Sequence, residues 1–393
     1  MPQVYSRDVN EYRAIILGGG MVAGYAAKEW VEKGGKSGGL AIVSADDALP
    51  YERPPLSKGF LAGKENEQSV LINPEAFYKE HGIDVQLKQR VERIDIAGKK
   101  LIGQGGKSFH FEKLILAPGA RVRTLDAPGA DREHVLYLRS LDDSVRLRDA
   151  LRNAKHVAVL GGGFIGMEVA SQSAQLGRDT TLIFPQERVW KNFFTPEMSR
   201  FFEKYYRDRG VRITPGAKVQ GIGTGYVSLS TGAKLDADLV VAGIGVAPVT
   251  ELAEGAGVKT DNGILADSFL ETSVTNIYAG GDAANFEDAL SGKRRRLEHW
   301  DNAVKQGQYL ARRLNGEKEP FKNIPYFFSD VFDLSYEFWG DTDGAERTEY
   351  KGDVNTSSFS AWWLKDDRVI AAFVMNRPDA ERESASDLKG DQL

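Results

Sequence analysis

At 393 residues the chain is longer than one hydrophobic core commonly serves, which predicts two or three domains. Lys and Arg number 51 against 56 Asp and Glu, so the net charge of -5 argues against nucleic acid as a partner, and the absence of an apolar run of about 20 residues argues against a membrane span. There is no cysteine, which excludes thiol chemistry and cysteine-ligated clusters in this chain, and the five histidines lack metal-ligand spacing, so no metal site is expected.

The start, MPQVYSRDVNEYRAIILGGG, lacks the basic and then apolar pattern of a secretory signal, and a cytoplasmic location is expected. Residues 14–34, AIILGGGMVAGYAAKEWVEKG, predict a short strand, a glycine turn and an alanine-rich helix. Gly18 permits the tight turn, Gly20 leaves room for a pyrophosphate, and Ala23 is small enough to let helix and strand approach. The helix start then offers free N–H groups to phosphate. The next strand carries Asp46 near its end, where a carboxylate can hold an adenosine ribose, after a turn lengthened by GGKSGG. In YERPPLSKGF, residues 51–60, Arg53 and Lys58 bracket a proline-stiffened corner suited to holding charge over a cofactor.

A second strand, turn and helix follows in HVAVLGGGFIGMEVASQSAQLG, where Gly161, Gly163 and Gly166 complete G-x-G-x-x-G. One such pattern is weak evidence; two predict two nucleotide-binding domains. FAD and a nicotinamide nucleotide both carry a pyrophosphate and exchange hydride, so they are the cofactors expected. TLIFPQERVW ends the next strand with Gln186, Glu187 and Arg188. Glu187 as a ribose acceptor favours NADH, whereas Arg188 leaves NADPH open. Further on, the strand NIYAG runs into Gly281 and Asp282, an aspartate placed either to accept from a ribityl hydroxyl or to cap a helix.

The expected fold class is α/β, with two Rossmann-like dinucleotide-binding domains, for FAD and NAD, and a small C-terminal α+β domain. The FAD domain is expected to be discontinuous, residues 10–118 plus 249–322, with an NAD(P)H domain at 119–248 and the C-terminal domain at 323–393; FEKLILAPGA and ADLVVAGIGVAP mark the crossings. GKRRRLEHW sets Lys293, Arg294, Arg295 and Arg296 together, either a surface that steers an acidic protein or a solvated loop. WWLKDDRVIAAF predicts a hairpin turning at Asp366 and Asp367, and most of Phe327, Phe332, Phe338, Trp339, Trp362 and Trp363 are expected in the core. The tail DAERESASDLKGDQL is polar and expected to be loosely ordered. No pattern specifies an oligomeric state.

Taken as a set, LGGGMVAG, PYERPPLSKGFL, LGGGFIGME, YAGGDAA, LEHWDNAVKQG and PYFFSDVFDLSYEFWG resemble the FAD-dependent pyridine nucleotide reductases, in the branch of monodehydroascorbate reductase, reductases of ferredoxin-type carriers and proteins like apoptosis-inducing factor. The resemblance spans residues of about 15 to 340. It implies flavin contacts at Arg53, Lys58, Arg139, Glu298 and Trp300, a lysine-glutamate pair of Lys58 with Glu168, and an aromatic approach to the flavin by Phe328. FDLSYEFWG is most similar to monodehydroascorbate reductase. Against that, plant enzymes of that activity have an arginine where Val304 stands here, and EHWDNAVKQG resembles the ferredoxin reductases. The activity implied is hydride transfer from NADH to FAD and single-electron transfer to a ferredoxin-type iron-sulfur protein. Monodehydroascorbate reduction and a non-enzymatic redox-sensitive interaction protein are the alternatives.

Overall fold

The computed structural model describes residues 11–388; the first ten residues, read above for a signal pattern, and the last five lie outside the described residues. The chain divides into two compact units, residues 11–52, 71–120 and 248–325 in one and 53–70, 121–247 and 326–388 in the other. The YERPP corner thus falls at a boundary. Residues 53–70, counted above with the FAD domain, pack within the second unit, as does the C-terminal sheet.

The first unit is built on a seven-stranded sheet. Asp84–Gln86, Leu40–Val43, Glu11–Leu17, Ser108–Leu116 and Ile277–Ala279 run parallel in that order, while Lys100–Gly103 and Val91–Asp95 continue it as antiparallel strands from Ser108–Leu116. Leu17, Val43, Leu116 and Ala279 lie level at the carboxyl ends. Toward these ends the strands become continuous buried apolar runs, AIIL, LAIV, LIL and IYA, as expected of a parallel sheet covered on both faces. Met21–Glu32 and Trp300–Leu314 pack closely, and glycine permits it: a Cβ on Gly307 would stand 2.6 Å from the carbonyl oxygen of Val22.

The second unit holds a parallel sheet in the order Arg212–Thr214, Asp179–Ile183, His156–Leu160, Leu239–Ala242, Val135–Tyr137. It also holds a five-stranded antiparallel sheet whose edge strand is Tyr326–Val331. The expected hairpin forms between Phe359–Lys365 and Arg368–Met375, with Asp366 and Asp367 at φ of 47° and 60°, the paired left-handed conformations of a tight two-residue turn. Phe327, Phe338, Trp339, Trp362 and Trp363 are buried, whereas Phe332 is only half-buried at φ 54° in the turn before Leu334–Gly340. Of the polar tail, only residues 379–388 are described. Asp379–Ser386 is a helix, fixed where Arg377 and Ser360 both bond the Glu381 carboxylate.

Candidate functional site

In the first unit, Gly18 leaves the central strand at φ 122°, and a Cβ there would stand 2.0 Å from the Ala117 carbonyl oxygen. Gly20 caps Met21–Glu32 with no side-chain bond, and a Cβ on it would meet nothing within 4 Å. One glycine is therefore required by the protein's own backbone and the other leaves a helix N-terminus uncovered. Ala23 is fully buried. Asp46 follows the neighbouring strand at its carboxyl end, with one carboxylate oxygen accepting from the N–H groups of Asp47 and Ala48 and the other from Tyr51 at 3.4 Å.

Gly281 and Asp282 form a short 3-10 turn after Ile277–Ala279. The Gly281 N–H donates to Oε1 of the fully buried Gln306 at 2.7 Å. Sequence reasoning missed Gln306, although its place nearly two turns into the EHWDNAVKQG helix was a signal. It also missed Glu52, which accepts from Tyr25 at 2.5 Å and from the Trp300 indole at 2.6 Å. Tyr25 and Trp300 meet edge to face at 6.3 Å. Glu298 pairs with Arg296.

The three arginines of the basic run each have an acidic partner. Arg294 pairs with Glu287 at 2.6 Å and Arg295 with Asp288 at 3.0 Å, while Arg296, paired with Glu298, also donates to the Asp282 carbonyl. Three of the four cations that the sequence sets together are thus paired with carboxylates no more than seven residues away. Val304 is 8% exposed and belongs to the apolar core of this unit.

His299 precedes the Trp300–Leu314 helix, and burial pushes its imidazole down to about 4, against the opposing pull of Asp282. It is neutral near pH 7. Below about 6.5 the unfolded chain takes up a proton that the folded chain refuses, so stability falls as the pH drops from there towards 4. Urea unfolding is expected to show the protein losing about 2 kcal/mol more than a His299→Gln variant between pH 7 and 5.

In the second unit, Gly161 repeats the first turn at φ 117°, its Cβ position 2.2 Å from the Gly243 carbonyl oxygen, and a Cβ on Gly166 would stand 1.8 Å from the Gly161 oxygen. Gly163 caps Phe164–Gln175 with open space around it. At the end of the next strand Glu187 is exposed, whereas Arg188 turns inward, donating to the carbonyls of Lys191 and Phe194, each at 3.2 Å. Arg188 staples its own loop.

One turn into the Phe164–Gln175 helix stands Glu168, 4% exposed. Lys58 Nζ reaches its Oε1 at 2.6 Å, Ser329 donates to the same oxygen at 2.5 Å, and Ser57 donates to Oε2. The Phe328 ring lies under the Lys58 ammonium, with Nζ 5.7 Å from its centroid. Arg53 donates to the Arg139 carbonyl, and the Arg139 N–H to Asp143, the residue that closes the capping box of Leu141–Asn153. Ser57 and Ser329 escaped the sequence reading, though each adjoins a residue it chose.

The profile of the pyridine nucleotide-disulphide oxidoreductase family matches residues 12–307, three quarters of the chain. The chain belongs to that family. It falls among the FAD-dependent pyridine nucleotide reductases, and residues 324–389 match the C-terminal domain of monodehydroascorbate reductase 3-like proteins. A monodehydroascorbate reductase of Solanum lycopersicum is 33% identical, the match covering 95% of this chain and 93% of that one. Rubredoxin-NAD(+) reductase of Pseudomonas putida is 34% identical over 96% of this chain and 99% of its own. Among solved structures, the covalent putidaredoxin reductase-putidaredoxin complex superposes with a TM-score of 0.92 at 30% identity, covering 98% of this chain and 94% of that one. A ferredoxin reductase from Rhodopseudomonas palustris gives 0.90 at 34% identity, covering 96% and 98%. The family name mentions a disulphide, but this member has no cysteine with which to form one.

The two glycine cradles fit the cofactors of such an enzyme. Each stands at the carboxyl ends of a parallel sheet, where dinucleotides bind, and each leaves uncovered the helix N-terminus that a pyrophosphate needs.

Proposed function

We propose that this protein takes hydride from NADH onto FAD and passes the electrons singly to a ferredoxin-type iron-sulfur protein. The observation that carries this reading is two dinucleotide cradles in a chain without a thiol, which leaves no internal disulfide to receive the electrons. FAD, when bound, supplies the conversion of a two-electron hydride into two one-electron transfers. Residues 10–118 plus 249–322 form the FAD-binding domain, 119–248 the NAD(P)H domain and 323–393 the C-terminal domain.

Gly18, Gly20, Ala23, Asp46, Gly281 and Asp282 hold the FAD dinucleotide, and Arg53, Lys58, Arg139, Glu298 and Trp300 contact its flavin. Gly161, Gly163, Gly166 and Glu187 hold NADH. Lys58 supplies positive charge near the reacting ring, Glu168 keeps that charge in place, and Phe328 excludes water from it. A cytoplasmic location suits a carrier of this kind, and among the described residues no helix is long and apolar enough to cross a membrane.

Arg188 bears on the choice of nicotinamide nucleotide. Its Nη2 already serves two carbonyls and its Nη1 faces the Glu187 carboxylate, which ties the guanidinium to its own loop and opposes the added negative charge of a 2'-phosphate. Steady-state kinetics are expected to show kcat/KM for NADH about ten- to a hundredfold above that for NADPH, the worth of one or two charge-assisted bonds.

Anaerobic stopped-flow reduction, followed by mixing with a ferredoxin-type protein or with enzymatically generated monodehydroascorbate, tests the acceptor. Fast reoxidation by the iron-sulfur protein alone supports the proposal. Fast reoxidation by the radical alone favours the second reading, monodehydroascorbate reductase, which rests on the match of residues 324–389. Slow reoxidation by both acceptors favours a redox-sensitive interaction protein.

A further inference from the structure

The Lys58–Glu168 pair does not stand alone. A carboxylate with two oxygens facing one ammonium can turn about its last side-chain bond and still keep the contact, so the ion pair fixes distance more firmly than orientation. Here two hydroxyls remove that freedom. Ser329 donates to the oxygen that Lys58 also uses, at 2.5 Å, and Ser57 donates to the other. All three oxygen-bearing side chains are buried, at 2% for Ser57, 0% for Ser329 and 4% for Glu168, so water does not compete for these bonds.

The donors come from opposite directions in sequence. Ser57 precedes Lys58 in the proline-stiffened corner, whereas Ser329 lies on the edge strand Tyr326–Val331 of the C-terminal sheet. Its neighbour Phe328 carries the ring that faces the same ammonium. Successive side chains on a strand point to opposite faces. Residues 328 and 329 therefore engage the pair from two sides of one strand, Phe328 at the lysine and Ser329 at the glutamate.

We infer that Ser57 and Ser329 are positioning residues, which lock the plane of the Glu168 carboxylate and through it hold the Lys58 ammonium in the one orientation that serves hydride transfer. The inference rests on the proposed hydride transfer from NADH and goes beyond it by adding two hydroxyls to the working unit.

The test uses the FAD-loaded protein with Ser57→Ala, Ser329→Ala, the double variant and Ser329→Thr, each also placed in a Glu168→Gln background. Single-turnover reduction by NADH and the midpoint potential of the bound flavin are measured, together with chemical unfolding of the full chain. Each alanine is expected to slow reduction by about tenfold and the pair by more, as for lost hydrogen bonds to a charged group. The potential is expected to shift with the rate, and threonine to restore both to within about threefold. In the Glu168→Gln background the same alanines should change the rate by less than about twofold, because the group they position is gone. Ser173→Ala, which breaks a buried bond to Thr180, serves as the packing control and should leave rate and potential unchanged.

If NADH reduces the unaltered protein quickly and the alanine variants equally quickly, the positioning role is overturned while the hydride reading stands. Equal losses with and without Glu168 also overturn it, since they mean that the serines act through packing. A FAD-loaded protein that NADH leaves oxidised overturns the hydride reading and the positioning role with it. If an alanine variant fails to load FAD, Ser329→Thr and the unfolding cycle between Ser329→Ala and Glu168→Gln decide: additive losses of stability refute the coupling, and less than additive losses support it.

Discussion

Gly18→Val is expected to give a protein purified without colour, its flavin absorbance per chain less than about a tenth of the unaltered protein's. The wild-type backbone at Gly18 has φ 122°, where a branched side chain costs about 1–3 kcal/mol in strain alone. The Cβ would also stand 2.0 Å from the Ala117 carbonyl oxygen, on a residue that directly follows a strand paired on both sides and whose own N–H is held by the Leu17 carbonyl. The turn must then open, and the helix N-terminus that awaits a pyrophosphate moves with it. The corresponding change in the second loop separates the cofactors. Gly161→Val meets the Gly243 oxygen at 2.2 Å, so it should leave a yellow protein that NADH reduces at least about a hundredfold more slowly, for a loss of about 3 kcal/mol in nucleotide binding. Equal flavin content in Gly18→Val and the unaltered protein would refute the assignment of the first loop.

The second large effect concerns the buried pair, and it divides stability from rate. Glu168→Leu leaves the Lys58 ammonium, 15% exposed, without its carboxylate. Breaking a buried ion pair on one side costs about 3–5 kcal/mol, because the remaining charge is stranded away from water. Removing both charges together, in Lys58→Met with Glu168→Leu, should recover most of that loss, since an apolar pair of similar volume often matches a buried ion pair in stability. The rate should not recover. Flavin reduction by NADH is expected to fall at least about a hundredfold in Glu168→Leu and to stay low in the double variant, because transition-state charge is then met by no ammonium. Urea unfolding and stopped-flow reduction of the same three proteins provide the check. A double variant as fast as the unaltered protein would remove Lys58 and Glu168 from the mechanism.

What could be read from the sequence follows physical range. Gly18, Gly161 and Gly166 were legible because a turn with positive φ or a near contact admits little else, and both constraints act within a few residues or across one sheet. Asp366 and Asp367 were legible as a turn for the same reason. The Lys58–Glu168 pair, 110 residues apart, was reached only through resemblance to a family. Ser57 and Ser329 bond the same glutamate across 111 and 161 residues, and Trp300 finds Glu52 across 248. Such partners leave no periodicity, because a hydroxyl or a carboxylate bears no local mark of the distant group it will meet.

The partners of Arg188 and of the run Arg294 to Arg296 were hidden from the sequence for a related reason. A sequence displays the sign of a side chain but not whether backbone carbonyls or neighbouring carboxylates have already engaged it. Three arginines beside Glu287, Asp288 and Glu298 are mostly spent on those partners.

The edge strand Tyr326–Val331 limits how freely the C-terminal domain can be exchanged. It brings Phe328 and Ser329 to the charge pair in consecutive positions, so residues 324–389 are no neutral attachment whose replacement would alter only the choice of acceptor. A chimaera that grafts a relative's last domain onto residues 1–323 inherits whatever that relative places at positions 328 and 329. Recombination in nature faces the same condition. On the proposed reading, a swap of the whole sheet would disturb the charge pair as well as any contact with the acceptor, whereas a change confined to its loops would leave Phe328 and Ser329 in place.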